Sequence, residues 1–181
     1  FKHALTRELV YNSLLTRKKK ELHNKIGQSI EQVYKNNLHE YYGVLAEHFI
    51  EAEDYEKGAD YSKSARRKAI KTSSHSESIS HANREILCLE RLIRTDIVQK
   101  RIIDARTSLA LYNTTINHHV EAQQAVEPII DIALDMNYQK RLPGIYIALG
   151  MHSFWVEEDC SKGLQYLENG TLLMVEIMKR L

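Results

Sequence analysis

Two prolines and seven glycines in 181 residues are too few for a strand-rich fold. Sandwiches and barrels turn about every ten residues and draw on those residue types to do so. The two cysteines, Cys88 and Cys160, form no CxxC, which excludes a zinc knuckle, a redox pair and a disulfide framework. That usage fits a reducing cytoplasm. No apolar run approaches the ~20 residues of a membrane span. Lys and Arg total 25 against 24 Asp and Glu, so a net charge of +1 creates no field to gather nucleic acid or membrane. There is no GxxxxGK[ST], no HExxH and no nucleophile motif. Catalytic residues, metal ligands and cofactors are therefore all expected to be none.

What the sequence does contain is helical periodicity from end to end. Apolar residues make up 43% and charged residues 27%, the balance of a folded globular chain. The expected class is all-α, with about nine helices. They are placed near 4–15 (Leu5, Leu9, Val10 and Leu14 on one stripe), 17–36, 38–51, 55–72, 76–93, 97–115, 119–136, 138–156 and 160–180. Asp54 is the expected N-cap of the fourth, and Ser74 with Glu77 suggests a capping box on the fifth. Pro128 should kink or break the seventh helix, and Pro143 suits the first turn of the eighth. The chain opens at Phe1 without Met and stops inside an apolar helical pattern, which reads as a segment of a longer protein.

Charge comes in blocks. Residues 1–36 hold eight basic and three acidic residues, and 37–60 hold one and seven. Residues 61–105 hold ten and five, and 106–181 hold six and nine. Arg17-Lys18-Lys19-Lys20 is the densest cluster. It suits a solvated helix face, a phosphate or an upstream module; nucleic acid is disfavoured because no aromatic interleaving accompanies it.

Residues 42–65 follow the spacing of a tetratricopeptide (TPR) hairpin: Tyr42, Leu45, Ala46 and Phe49, then Asp54, Tyr55, Gly58 and Ala65. Small residues let paired helices approach, and large ones fill the groove between them. The pattern returns in Leu109-Ala110 with Ala122, and in Met151 and Phe154 with Gly163, Leu167 and Gly170. Gly58, Ala122 and Gly163 occupy one kind of position, and Ser78 is a degenerate copy of it. The alternative is a non-repeating helical bundle.

The opening residues, Phe1-x-His3-x-Leu5-x-Arg7-Glu8-x2-Tyr11-x2-Leu14 and Leu22-His23-x2-Ile26-Gly27-x2-Ile30-Glu31, carry a resemblance. So do Tyr41-Tyr42-x2-Leu45-Ala46-x-His48-Phe49, Cys88-Leu89-Glu90-Arg91-Leu92 and Val156-Glu157-Glu158-Asp159. Together they resemble the region that follows the ATPase module in bacterial class III adenylate/guanylate cyclase–AAA/STAND ATPase signalling proteins. Ser78, Glu85 and Gly170 stand where that family leads us to expect alanine, and Pro143 departs from it. The resemblance implies a TPR-like α-solenoid with a right-handed superhelix. Residues 1–36 would join or cap the upstream ATPase module, and 37–181 would form the repeat array. It implies a non-catalytic regulatory segment, because the cyclase and ATPase motifs would lie upstream.

The expected partner is a protein, a peptide or an upstream domain of the same chain, held in a concave groove. Glu40, Glu47 and Glu51 recur along one helix side and suit a basic peptide. His152 and Trp155 hold similar places later, and the only tryptophan suits a partner anchor. A solvated face and core packing are the plainer alternatives. Self-association through Trp155 or the apolar run 172–178 is the second functional expectation, and a nucleic-acid-binding helical domain the third.

Overall fold

The structure, a computed structural model, describes the backbone of residues 2–179 and the side chains of residues 15–179. The stripe expected at Leu5, Leu9, Val10 and Leu14 falls on side chains outside the described residues, as does Phe1. All secondary structure among the described residues is helical: α1 (Lys2–Val33), α2 (Tyr42–Glu51), α3 (Tyr55–Lys71), α4 (His75–Glu90), α5 (Asp96–Thr115), α6 (His119–Val126), α7 (Ile130–Asp135), α8 (Leu142–Trp155) and α9 (Cys160–Lys179). Two 3-10 turns, Leu38–Glu40 and Glu127–Ile129, complete it. Each helix packs on its neighbour in the chain from α1 to α6, and α8 packs on α5, α6, α7 and α9.

Several boundaries differ from expectation: the helix expected over 38–51 opens with a separate 3-10 turn before α2, and α8 begins at Leu142 instead of near 138. The helices expected at 4–15 and 17–36 are one, α1, because Thr16 to Lys20 contains no residue that stops a helix and Arg and Lys favour its continuation. The helix expected over 119–136 is divided at Pro128, whose missing N–H tightens the backbone into the 3-10 turn. Pro143 sits in the first turn of α8, as expected. Asp54 caps α3 by accepting from the Lys57 N–H at 3.2 Å. The capping box is absent: Ser74 precedes α4 without a side-chain cap bond, and its carbonyl instead accepts from the Ser78 hydroxyl at 2.8 Å.

The turns explain how so few glycines suffice. Glu53, Ser73, Asn117, Asn137 and Glu158 all have left-handed backbone, with φ between 48° and 61°. Four of these close the same pair of bonds. After α2 they are Glu53 N–H to Ile50 C=O and Asp54 N–H to Phe49 C=O, both 2.9 Å. Ser73, Asn117 and Asn137, each with the residue after it, repeat the arrangement. The residue after the left-handed one then stands at the N-cap of the next helix at Asp54, Ser74 and His118. Gly58, Ser78, Ala122 and Gly163 lie at one fixed offset beyond the left-handed residues, and all four are buried.

The glycines themselves serve close approach. A Cβ on Gly27 would stand 2.9 Å from the Phe49 ring, and one on Gly58 would stand 3.0 Å from Ile50 Cγ1 and 3.1 Å from Cys88 Sγ. Leu45, Ala46 and Phe49 are fully buried, and Ala65 and Ala110 are buried as well. Tyr42 and Tyr55 are half-buried.

Ion pairs hold α1 against α2 and the turn after it. Lys19 pairs with Glu51 at 3.0 Å and Lys20 with Glu53 at 2.6 Å, while Arg17 pairs with Glu21 within α1 at 3.0 Å. Of the basic cluster, Lys18 alone makes no ion pair among the described residues. Such exposed pairs contribute about 0–1 kcal/mol each. Further along, Glu31 accepts from Lys57 Nζ at 2.8 Å and from the Tyr61 hydroxyl at 2.5 Å. Burial pushes the Glu31 carboxyl up, but those two donors outweigh it and hold the group below its ordinary range.

Candidate interaction groove

The α4 helix carries two clefts, one on either flank, because its residues at 75, 76, 79 and 83 face one way and those at 77 and 81 another. The larger cleft, about 990 Å³, opens between α4, α5 and α6. Ile79, Leu109, Ile116 and Ala125 supply apolar lining, and Asn83, Asn113 and Gln124 supply carboxamides. Arg106 ties the three helices together there. Its Nη2 donates to Glu90 at 2.6 Å, and its Nη1 donates to the Ala125 carbonyl at 3.4 Å. Nδ1 of His75 is buried in this cleft without a hydrogen-bond partner. An amide pair beside aliphatic walls offers both a donor and an acceptor at each side chain, the chemistry that holds an extended polypeptide backbone.

The smaller cleft, about 300 Å³, holds Glu40, Tyr42, Gly43, Lys68, Glu77 and His81. Lys68 Nζ donates to the His39 carbonyl at 3.1 Å. Burial, followed by the nearby Arg84, pulls His81 below the ordinary imidazole value.

A third feature lies where α8 ends. The Trp155 ring is 60% exposed and stacks on His119 of α6, with centroids 6.4 Å apart and planes 9° apart. Phe154 stands edge-on to it at 5.0 Å. His152 lies 3.8 Å from Glu157, which pairs with Lys162 at 2.7 Å. Lys162 and then the Ser153 hydroxyl hold the Glu157 carboxyl below its ordinary range.

The residues singled out in the sequence are thus distributed over several neighbours. Glu40 lines the smaller cleft, Glu47 is exposed on α2, and Glu51 is engaged by Lys19 of α1. His152 and Trp155 share the α8 corner. Phe154, expected as repeat packing, is exposed, because its backbone and Cβ meet Gly163 while its ring turns toward Trp155. Gly163 is buried and Leu167 half-buried against α8. Periodicity did not reveal Asn83, Gln124 or Arg106, since isolated polar residues on a helix look alike whether they face a cleft or solvent.

A buried polar cluster joins three helices. Arg66 Nε donates to Glu85 at 2.8 Å and Arg66 Nη1 donates to the Tyr112 hydroxyl at 3.0 Å, joining α3, α4 and α5. Burial raises the Glu85 carboxyl above its ordinary range although Arg66 opposes it. The Cys88 thiol, buried one turn away, is pushed up to about 11 by burial and then by Glu85, which makes it inert as a nucleophile.

Among the described residues no group of three His, Cys, Asp or Glu could hold a metal ion, and no helix is long and apolar enough to cross a membrane. Comparison with protein-family models, curated proteins and solved structures finds no match to this chain.

Proposed function

We propose that this chain is a non-catalytic protein-interaction and regulatory region of a multidomain bacterial signalling ATPase/nucleotide cyclase, acting in the cytoplasm. Its helices stack as a TPR-like α-solenoid with a right-handed superhelix, in which residues 37–181 form the array and 1–36 cap it and join the ATPase module. The recurrent left-handed turn, with a small residue at a fixed offset beyond it, supports a repeated hairpin unit. A partner, or a domain of the parent, binds as an extended segment in the cleft between α4, α5 and α6. A ligand that prefers one curvature of a stacked array shifts the population of the active parent.

The observation that carries this reading is the cleft of about 990 Å³ with Asn83, Asn113 and Gln124 beside aliphatic walls. The test is nucleotide-cyclase activity of the full-length parent, compared with a parent lacking residues 37–181 and with Asn83→Ala/Gln124→Ala. Both substituted residues are exposed, so the fold should tolerate their change. A change in rate in both variants supports regulation through the groove. Equal rates in all three overturn it, and a parent with no cyclase activity overturns the assignment of the parent.

A second reading, self-association, is favoured by one observation. Leu164, Leu172, Met174, Val175 and Met178 are all exposed on α9. Light scattering on the isolated chain at increasing concentration tests it, and a constant monomer mass excludes it.

A further inference from the structure

The clefts and the α8 corner share an imbalance of charge. Arg106 is neutralised by Glu90 and Lys162 by Glu157, and Lys68, held by the uncharged His39 carbonyl, is outnumbered by Glu40 and Glu77 in the smaller cleft. Glu40 and Glu77 in the smaller cleft and Glu158 at the corner have no ion pair among the described residues. Glu121, at the mouth of the larger cleft, has only His118 at 4.0 Å. The free charge offered to a ligand is therefore negative, although the whole chain is nearly neutral.

The α8 corner adds a second, independent feature. His119 lies parallel to the indole and Phe154 perpendicular to it, and Trp155 is still 60% exposed. His119 is itself only 8% exposed and has no hydrogen-bond partner at Nδ1. An exposed indole attracts a cation through the ring quadrupole. The left-handed turn holds Glu158 in the loop immediately after this helix. His119 begins α6, whose next turn, at Glu121 and Gln124, lines the larger cleft. The corner and the cleft thus share one helix.

We propose that the groove selects a basic polypeptide segment, with one arginine or lysine side chain laid on the exposed indole of Trp155 and paired with Glu158. This rests on the groove reading given above. The occupant belongs to another polypeptide or domain: the chain's own basic run at 17–20 is engaged by Glu21, Glu51 and Glu53, apart from Lys18.

The test uses the chain of 181 residues and three pools of fluorescein-labelled random decapeptides, in which alternate positions hold Arg, Gln or Glu. Anisotropy measures affinity, and the single tryptophan reports contact at the corner directly. The expected result is binding of the Arg pool about tenfold tighter than the Gln pool, with a change in Trp155 emission. The preference should vanish in Trp155→Ala and fall in Glu158→Gln, at unchanged circular dichroism. Equal binding of the Arg and Gln pools, or an Arg preference that Trp155→Ala leaves intact, overturns the basic-segment proposal. In either case binding that still depends on Asn83 and Gln124 preserves the groove reading. Failure of all three pools to bind, or binding indifferent to Asn83→Ala/Gln124→Ala, overturns both.

Discussion

Where α3, α4 and α5 meet, the chain buries an ion pair; where α8 meets α9, it buries bare backbone. The first contact depends on Arg66, Glu85 and Tyr112, three side chains that satisfy one another. The second depends on Gly150, Gly163 and Gly170. A Cβ on Gly163 would stand 3.1 Å from the Gly150 carbonyl, and one on Gly170 would stand 3.3 Å from Tyr146 Cβ and 3.4 Å from the Pro143 carbonyl. One helix pairing is specified by chemistry and the other by the absence of volume. The two should therefore fail in different ways.

The largest effect is expected from Glu85→Ala. It leaves the Arg66 guanidinium buried and unpaired, at a cost of about 3–5 kcal/mol, read as a shift in the urea midpoint. The double variant Arg66→Met/Glu85→Leu should recover most of that loss, because two desolvated charges are removed together. If the double variant is as unstable as the single one, the loss comes from the missing pair itself and not from an orphaned buried charge.

Next comes the glycine contact. Gly163→Ala should cost about 1–3 kcal/mol by forcing α8 and α9 apart, of which about 1 kcal/mol returns as helix propensity. Gly58→Ala is the control. Its nearest contacts, Ile50 Cγ1 and Cys88 Sγ, belong to side chains that can shift, so thermal denaturation should show the smaller loss there. Equal losses at the two sites would remove the distinction between backbone and side-chain crowding.

The two regions also share a device. Ser73 precedes α4 and Glu158 precedes α9, both with left-handed backbone. Ser73→Gly and Glu158→Gly should each stabilise the fold by about 1 kcal/mol, since glycine adopts that conformation without the Cβ clash. A gain in one region and a loss in the other would mean that one of the replaced side chains has a structural role.

The smallest effect is a dependence on pH. Burial pulls His81 and His119 below the ordinary value of 6.5, with Arg84 adding to it at His81 and His152 at His119. As pH falls, the unfolded chain takes up these protons before the folded one does. The stability these rings contribute is full above 6.5 and is lost as pH drops below it. The melting temperature should decline as pH falls below 6.5, and His81→Gln should flatten the curve.

Much of the architecture was legible from particular residues. Asp54 announced the start of α3, and Pro143 the start of α8. Gly58, Ser78, Ala122 and Gly163 marked one recurrent packing position before any turn was visible. The candidate site was less legible. Glu51 reads as a groove carboxylate until Lys19 of α1 claims it, and Trp155 reads equally as core or anchor until its exposure is known. Glu85 stood out only as a departure from alanine, and its partner lies 19 residues away on another helix.

The sequence by itself determined the helical class, most helix boundaries and the places where helices approach closely. Those follow from local periodicity, caps and side-chain volume, which a chain carries with it wherever it folds. The tertiary structure alone decided the pairing of Arg66 with Glu85, of Lys19 with Glu51 and of Lys57 with Glu31. The physical reason is common to all three. Each depends on a counter-charge that the folded chain brings within reach from a neighbouring helix, and no local pattern encodes that distance.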